Sequence, residues 1–152
     1  MTLTPGIRVD AITTKENPMF NILPIASIAS ISIPFLPLVG EDLDGGTFAG
    51  IITQPDGTHV AVVLLPAWSE GLTWKLAGAW AEKQGGVLPS RPVAALLYAN
   101  CKAKLQPRWH WTSEAYDASF AWGCDFYGGG QSGNLKSAEG CAVAVRCIHL
   151  TA

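Results

Sequence analysis

The chain has 152 residues, with ten Lys and Arg against twelve Asp and Glu, a net charge of −2 and a pI near 5.8. That length suits one domain with a core of its own. The charge balance offers no basic stripe of the kind duplex nucleic acid requires, so no nucleic-acid partner is expected.

Composition divides the chain. Residues 1–66 hold two basic and six acidic side chains, and residues 67–152 hold eight and six. All six Trp and all four Cys fall in the second part. Residues 1–18 read as an irregular lead-in, because Thr4-Pro5-Gly6 and Asn17-Pro18 are turn signals. No secretion leader is expected, since the first apolar run starts late and no clear small-residue cleavage site follows.

Residues 19–40 carry no charged side chain. Their length alone would suit a membrane span, but Pro24, Pro34 and Pro37 oppose a straight helix. Ser27, Ser30 and Ser32, interleaved with isoleucines, suit an extended segment better. Residues 1–45 are therefore expected to form an apolar arm for assembly or docking. Its contact residues would be Ile22, Ile25, Ile28, Ile31, Ile33 and Phe35. Such an arm lies on its own domain, on a neighbouring copy or on a larger assembly.

The polar run Glu41-Asp42-Leu43-Asp44-Gly45-Gly46 marks a hinge, and the compact domain is placed at 46–152. Residues 47–53 and 58–65 are β-prone runs around Pro55-Asp56-Gly57 and predict a hairpin. The second run is apolar on both faces and should be a central strand. His59, beside the turn, is expected to be exposed.

A first helix is expected over 73–84, with Thr73 as N-cap and Gly85-Gly86 as the stop. Trp74 and Trp80 follow the packing period and are read as core. A second helix is expected over 93–100, capped by Ser90 with Pro92 in its first turn. Arg91 is expected to tie that helix start to the body by hydrogen bonds.

From Leu105 the pattern becomes strand-like and aromatic. His110 alternates with Trp109 and Trp111 and is expected at the surface. Phe120, Trp122, Cys124 and Phe126 should share one strand face. Residues 128–136 are rich in Gly and read as a loop. A closing strand is expected over 141–150, with Val143, Val145 and Cys147 on one face. The fold class is α+β, with two helices and a small antiparallel sheet.

Cys101, Cys124, Cys141 and Cys147 form no Cys-x-x-Cys pair, so a zinc ribbon is not expected. Free thiols are the first expectation, and a bridge from Cys124 to Cys141 or Cys147 is the alternative. His59, His110 and His149 lack metal-ligand spacing, and no nucleotide-loop or hydrolase motif is present. No catalytic residue, metal or cofactor is expected.

An ordered set of motifs runs through the second part. It comprises Gly85-Gly86-x-Leu88-Pro89-x-Arg91, Leu96-Leu97-Tyr98-Ala99-Asn100 and Trp109-x-Trp111-Thr112-Ser113-Glu114. Ala121-Trp122-x-x-Asp125-Phe126, a Gly-rich stretch and Ala142-Val143-Ala144-Val145-Arg146 follow. The set resembles the phage and bacterial Lcl C-terminal domain family over roughly residues 46–150. The resemblance implies a C-type-lectin-like domain. The Glu-Pro-Asn-like and Trp-Asn-Asp runs with which sugar-binding C-type lectins hold calcium are missing here, so calcium-dependent sugar binding is not expected.

What the motifs leave is a surface. Tyr116, Trp122, Tyr127, Gln131, Asn134 and Lys136 combine aromatic area with adaptable polar groups, a mixture suited to recognising a protein or a glycan. The expected function is a non-enzymatic phage virion protein of decoration, fibre or receptor-binding type. It would dock through the arm on other virion proteins or as a homo-oligomer and display the domain to a host-surface protein or glycan. Two alternatives stay open: an intracellular phage protein that inhibits a host factor, and a bacterial surface binder anchored in a membrane by residues 19–40.

Overall fold

A computed structural model of the chain describes residues 7–11 and 26–152, the first five and Ala26 as backbone alone. In order, the strands are β1 (Ile7–Ala11), β2 (Ala26–Ser32), β3 (Asp42–Leu43), β4 (Gly46–Thr53) and β5 (His59–Leu72). Helices α1 (Trp74–Lys83) and α2 (Arg91–Cys101) follow. Strands β6 (Trp109–Ala115), β7 (Phe120–Asp125), β8 (Gln131–Leu135) and β9 (Gly140–Thr151) complete the chain. Among the described residues the class is α+β, as expected.

The sheet differs from the small antiparallel one expected. It is mixed, it runs β3-β4-β5-β9-β6-β7-β8, and β2 joins it through β9 with β1 paired outside. Its organiser is β9. On one side β9 pairs with β5 from His149 opposite Val60 to Gly140 opposite Leu72. On the other side three separate pieces take turns. His110 of β6 lies parallel to it at Cys141, Val87 bridges to Val145, and Ser30–Ser32 of β2 run parallel to His149–Thr151. A strand buried in mid-sheet needs partners for both its edges, and these pieces supply them in succession.

The two helices cover opposite faces. On the α1 face, β9 offers Ala142 and Ala144, small enough for Ala77 and Ala81 of the helix to approach, and Trp111 fills the remaining space. On the α2 face, Val62, Leu64, Val143 and Val145 meet Val93, Ala94 and Leu97. The alternation along β5 and β9 thus serves two cores, which is why their buried stretches, Val60–Leu65 and Cys141–Val145, are apolar on both faces.

Local signals act where the sequence put them. Gly85 takes a φ of 84° and donates to the Glu82 carbonyl, while Gly86 donates to that of Ala81, closing α1 in a Schellman turn. Ser90 accepts from the Val93 amide and starts α2. Thr73 sits at the N-cap of α1 without a side-chain cap; the Trp74 amide donates instead to the Lys136 carbonyl. β5 runs on past Leu65 to Leu72, with a register shift around Pro66, whose missing N–H the irregularity accommodates.

One further expectation needs correction, and two of the alternatives, a disulfide and a membrane helix, are not found among the described residues. Residues 128–136 are not one loop: a tight turn leads into β8, an edge strand paired with β7 alone. Glycine tolerates an edge position, where few side chains need packing. The bridge from Cys124 to Cys141 or Cys147 is absent, and all four cysteines are free. Cys124 and Cys141 flank His110 on opposite sides, so a whole strand separates them. Two strand spacings are about 10 Å, beyond the ~7 Å reach of a disulfide. Cys147 lies further still along β9, exposed, while the other three are buried. Finally, residues 19–40 are not one helix, because Ala26–Ser32 is a strand and Ile33–Phe35 a 3₁₀ turn. No helix among the described residues is long and apolar enough to cross a membrane.

Candidate functional site

The α2-side face of β7 and β8, beside the start of that helix, gathers several of the expected surface residues. Pro92 in the first helical turn and the Ser90 cap fix where α2 begins, so Arg91 emerges toward the hairpin. Its guanidinium lies 3.6 Å from the centre of the Trp122 ring. Its Nε donates to Gln131 Oε1 at 2.9 Å, and Gln131 Nε2 donates back to the Arg91 carbonyl at 2.8 Å. The Arg91 amide donates to the Glu114 carboxylate at 2.6 Å, which places a negative charge on the positive end of α2. Tyr116 meets Trp122 edge-on with centroids 5.1 Å apart.

This arrangement leaves an ordered surface with adaptable chemistry. Tyr116 is exposed and Trp122 and Gln131 are half-buried. Arg91 uses Nε on Gln131 and its π-face on Trp122, which leaves the outer guanidinium N–H groups for an incoming acceptor. The reciprocal pair with Gln131 holds the guanidinium in place before any ligand arrives.

The other expected residues lie elsewhere. Asn134 is on the opposite face of β8, where its amide donates to the Ser132 carbonyl. Lys136 leaves the hairpin toward α1, with Nζ 4.8 Å from the Trp74 ring centre and donating to the Ala118 carbonyl. Tyr127 is exposed in the β7–β8 turn that Asp125 organises by accepting from the Tyr127 amide. Of the arm residues, Ile31 is buried, Ile28 packs on the core, and Ile33 and Phe35 are exposed. Ile22 and Ile25 lie outside the described residues.

Sequence reasoning read Arg91 as a structural tie, and it is one; its second role, stacking on Trp122, joins residues 31 positions apart and left no local signal. Glu114 was also missed. The Ser90-x-Pro92 start marks where a helix end needs a partner, but not which residue supplies it.

His110 overturns its surface expectation. The imidazole is fully buried, 4.7 Å from the Phe126 ring, and its Nδ1 lies 2.8 Å from the Arg108 carbonyl. Alternation put it opposite Trp109 and Trp111 correctly, but the α2 face of β6 is covered as well. Burial pushes its pKa down to about 4, and Nε2 has no partner. It is therefore neutral and sealed from solvent at pH 7, with no access to a substrate proton. Burial also raises the thiols of Cys101, Cys124 and Cys141, so none is poised as a thiolate.

Among the described residues no group of His, Cys, Asp and Glu is placed to hold a metal ion. Two shallow clefts of about 430 and 380 Å³ flank the Val87-Leu88 segment and share Ser113. Protein-family models give no match to the chain, and no curated protein matches it.

Proposed function

We propose that this chain is a non-enzymatic structural protein of a phage virion, of decoration, fibre or receptor-binding type. It docks by its N-terminal arm and displays a C-type-lectin-like domain. The observation that carries this reading is the Arg91–Trp122–Tyr116 surface, pre-organised by Gln131 and Glu114 on an edge hairpin. A fixed aromatic and guanidinium platform suits recognition of a protein or glycan.

Two further observations support the reading. Two helices flanking a sheet accord with the lectin-like plan that the motifs from Gly85 to Arg146 imply. His110 and three of the four cysteines, the side chains best suited to acid–base or nucleophilic work, are enclosed in the core. The phage setting rests on the motif resemblance.

The test is mass spectrometry of density-purified particles, quantified against the major capsid protein. Recovery at fixed, stoichiometric copy number is the expected result. Abundance in the lysate with absence from particles would contradict the reading and direct the search to intracellular targets.

A further inference from the structure

Among the described residues, the β1–β2 hairpin meets the body along one short stretch of β2. Its backbone attachment is three residues of parallel pairing, Ser30 to Ser32 against His149 to Thr151. Of its described side chains, Ile31 is fully buried in the α1-face core that also contains Ile148 and Leu150, and Ile28 packs on the same core. Ser32 and Thr151 hydroxyls meet at 3.0 Å. Beyond Ser32 comes the 3₁₀ turn Ile33–Phe35, closed by a single bond from the Leu36 amide to the Ile33 carbonyl. Pro34 lies inside that turn and Pro37 follows it. Leu36 packs on the same core, the Leu38 amide donates to the Glu41 carboxylate, and from Gly40 the backbone is fixed, because Gly40 donates to the Phe48 carbonyl and Phe48 donates to that of Glu41.

The short segment between these anchors is also unusually apolar for a surface. Ile33, Phe35, Leu38 and Val39 are all exposed, Leu38 by 74 %. Four large apolar side chains within seven residues form a patch of the kind that marks a contact site.

We propose that the hairpin is an exchangeable arm, whose Ile31 seats against Ile148 and Leu150 of a second copy of this chain. The 3₁₀ turn straightens as the hinge. Every contact the arm makes in the closed chain is then remade between copies, because the slot and its occupant are the same. The balance is decided by what is new, namely the exposed Ile33, Phe35, Leu38 and Val39 of two hinges, brought together and shielded from water. Prolines in the hinge reduce the entropy lost when it extends. The inference names the docking arm's first partner. A chain that exchanges arms but is missing from particles would keep it and sink the virion reading.

The experiment uses the full chain with Cys147→Ser, which removes the exposed thiol and leaves three buried ones. Ser32→Cys and Thr151→Cys are introduced on separate chains, and the two are mixed and oxidised. The doubly substituted chain is the control for bond geometry. Exchange predicts a Cys-linked peptide pair joining positions 32 and 151 of different chains. It also predicts a mass for the unmodified chain of twice its 16.1 kDa or more at high concentration. A bond formed only within the doubly substituted chain would overturn the proposal. So would a monomeric mass at every concentration, even if no bond forms in any variant.

Discussion

The Arg91 face and the β1–β2 hairpin both lie at the periphery, yet they are held in opposite ways. Arg91, Trp122, Gln131 and Glu114 come from α2, β7, β8 and β6, and each contacts a residue distant in sequence. Among the described residues, the hairpin contributes two strands of backbone pairing but reaches the body through Ser30–Ser32 and the side chains of Ile28 and Ile31. The exchange proposed for the arm requires a strand that belongs to the sheet yet can leave its core without unfolding the rest. Side chains that bridge elements lock a surface, and backbone pairing at a sheet's end leaves a segment detachable.

The largest effect should come from the body. Trp111 is fully buried and its Nε1 donates to the Leu72 carbonyl at 2.8 Å. Trp111→Ala is expected to cost about 3–5 kcal/mol, read from the denaturant midpoint. A loss under ~1 kcal/mol would mean that β6 is not part of one core with β9 and α1.

Acid should reach the α2-face core through His110. Its pKa is about 4 when folded against 6.5 for the free group, so the unfolded chain takes up the proton first as pH falls. Its contribution is full above about pH 6.5 and is lost progressively toward about pH 4, a change of roughly 3 kcal/mol. His110→Leu should flatten stability across that window. An unchanged slope in the variant would show that carboxylates alone set the acid response.

At the surface, Arg91→Ala removes the stack on Trp122 and the Nε bond to Gln131. A loss of about 1–2 kcal/mol is expected, with a shift in tryptophan emission as Trp122 gains water. An unchanged spectrum would mean that the platform is not fixed in solution. The smallest global effect belongs to the arm. Ile31→Ala, though it empties a buried site, should lower the global midpoint by less than ~1 kcal/mol, because the hairpin detaches before the body unfolds. Amide exchange should rise in residues 27–32 alone. A loss of several kcal/mol, like that for Trp111, would erase the distinction between the two regions.

Much of this contrast was hidden in the sequence, for identifiable reasons. Helix ends were legible because Ser90, Pro92 and Gly85-Gly86 act on their own neighbours. The β4–β5 hairpin was legible because Asp56-Gly57 sits between two β-prone runs. The burial of His110 was not, since alternation assigns a face but not what covers it. Nor was the shared edge of β9, which depends on β6, Val87 and β2 arriving from three distant places. The surface residues were found by type, but Asn134 and Lys136 point away from Trp122, as only the β8 register and the contact of Lys136 with Trp74 show. The isoleucine and serine alternation signalled an extended arm but could not reveal that part of it completes the sheet.

The most direct measurement compares the intact chain with residues 41–152, each produced during infection and quantified in density-purified particles. The account predicts stoichiometric recovery of the intact chain, and a shortened chain that folds, stays soluble and is missing from particles. Equal recovery of the two would contradict the docking role of the arm.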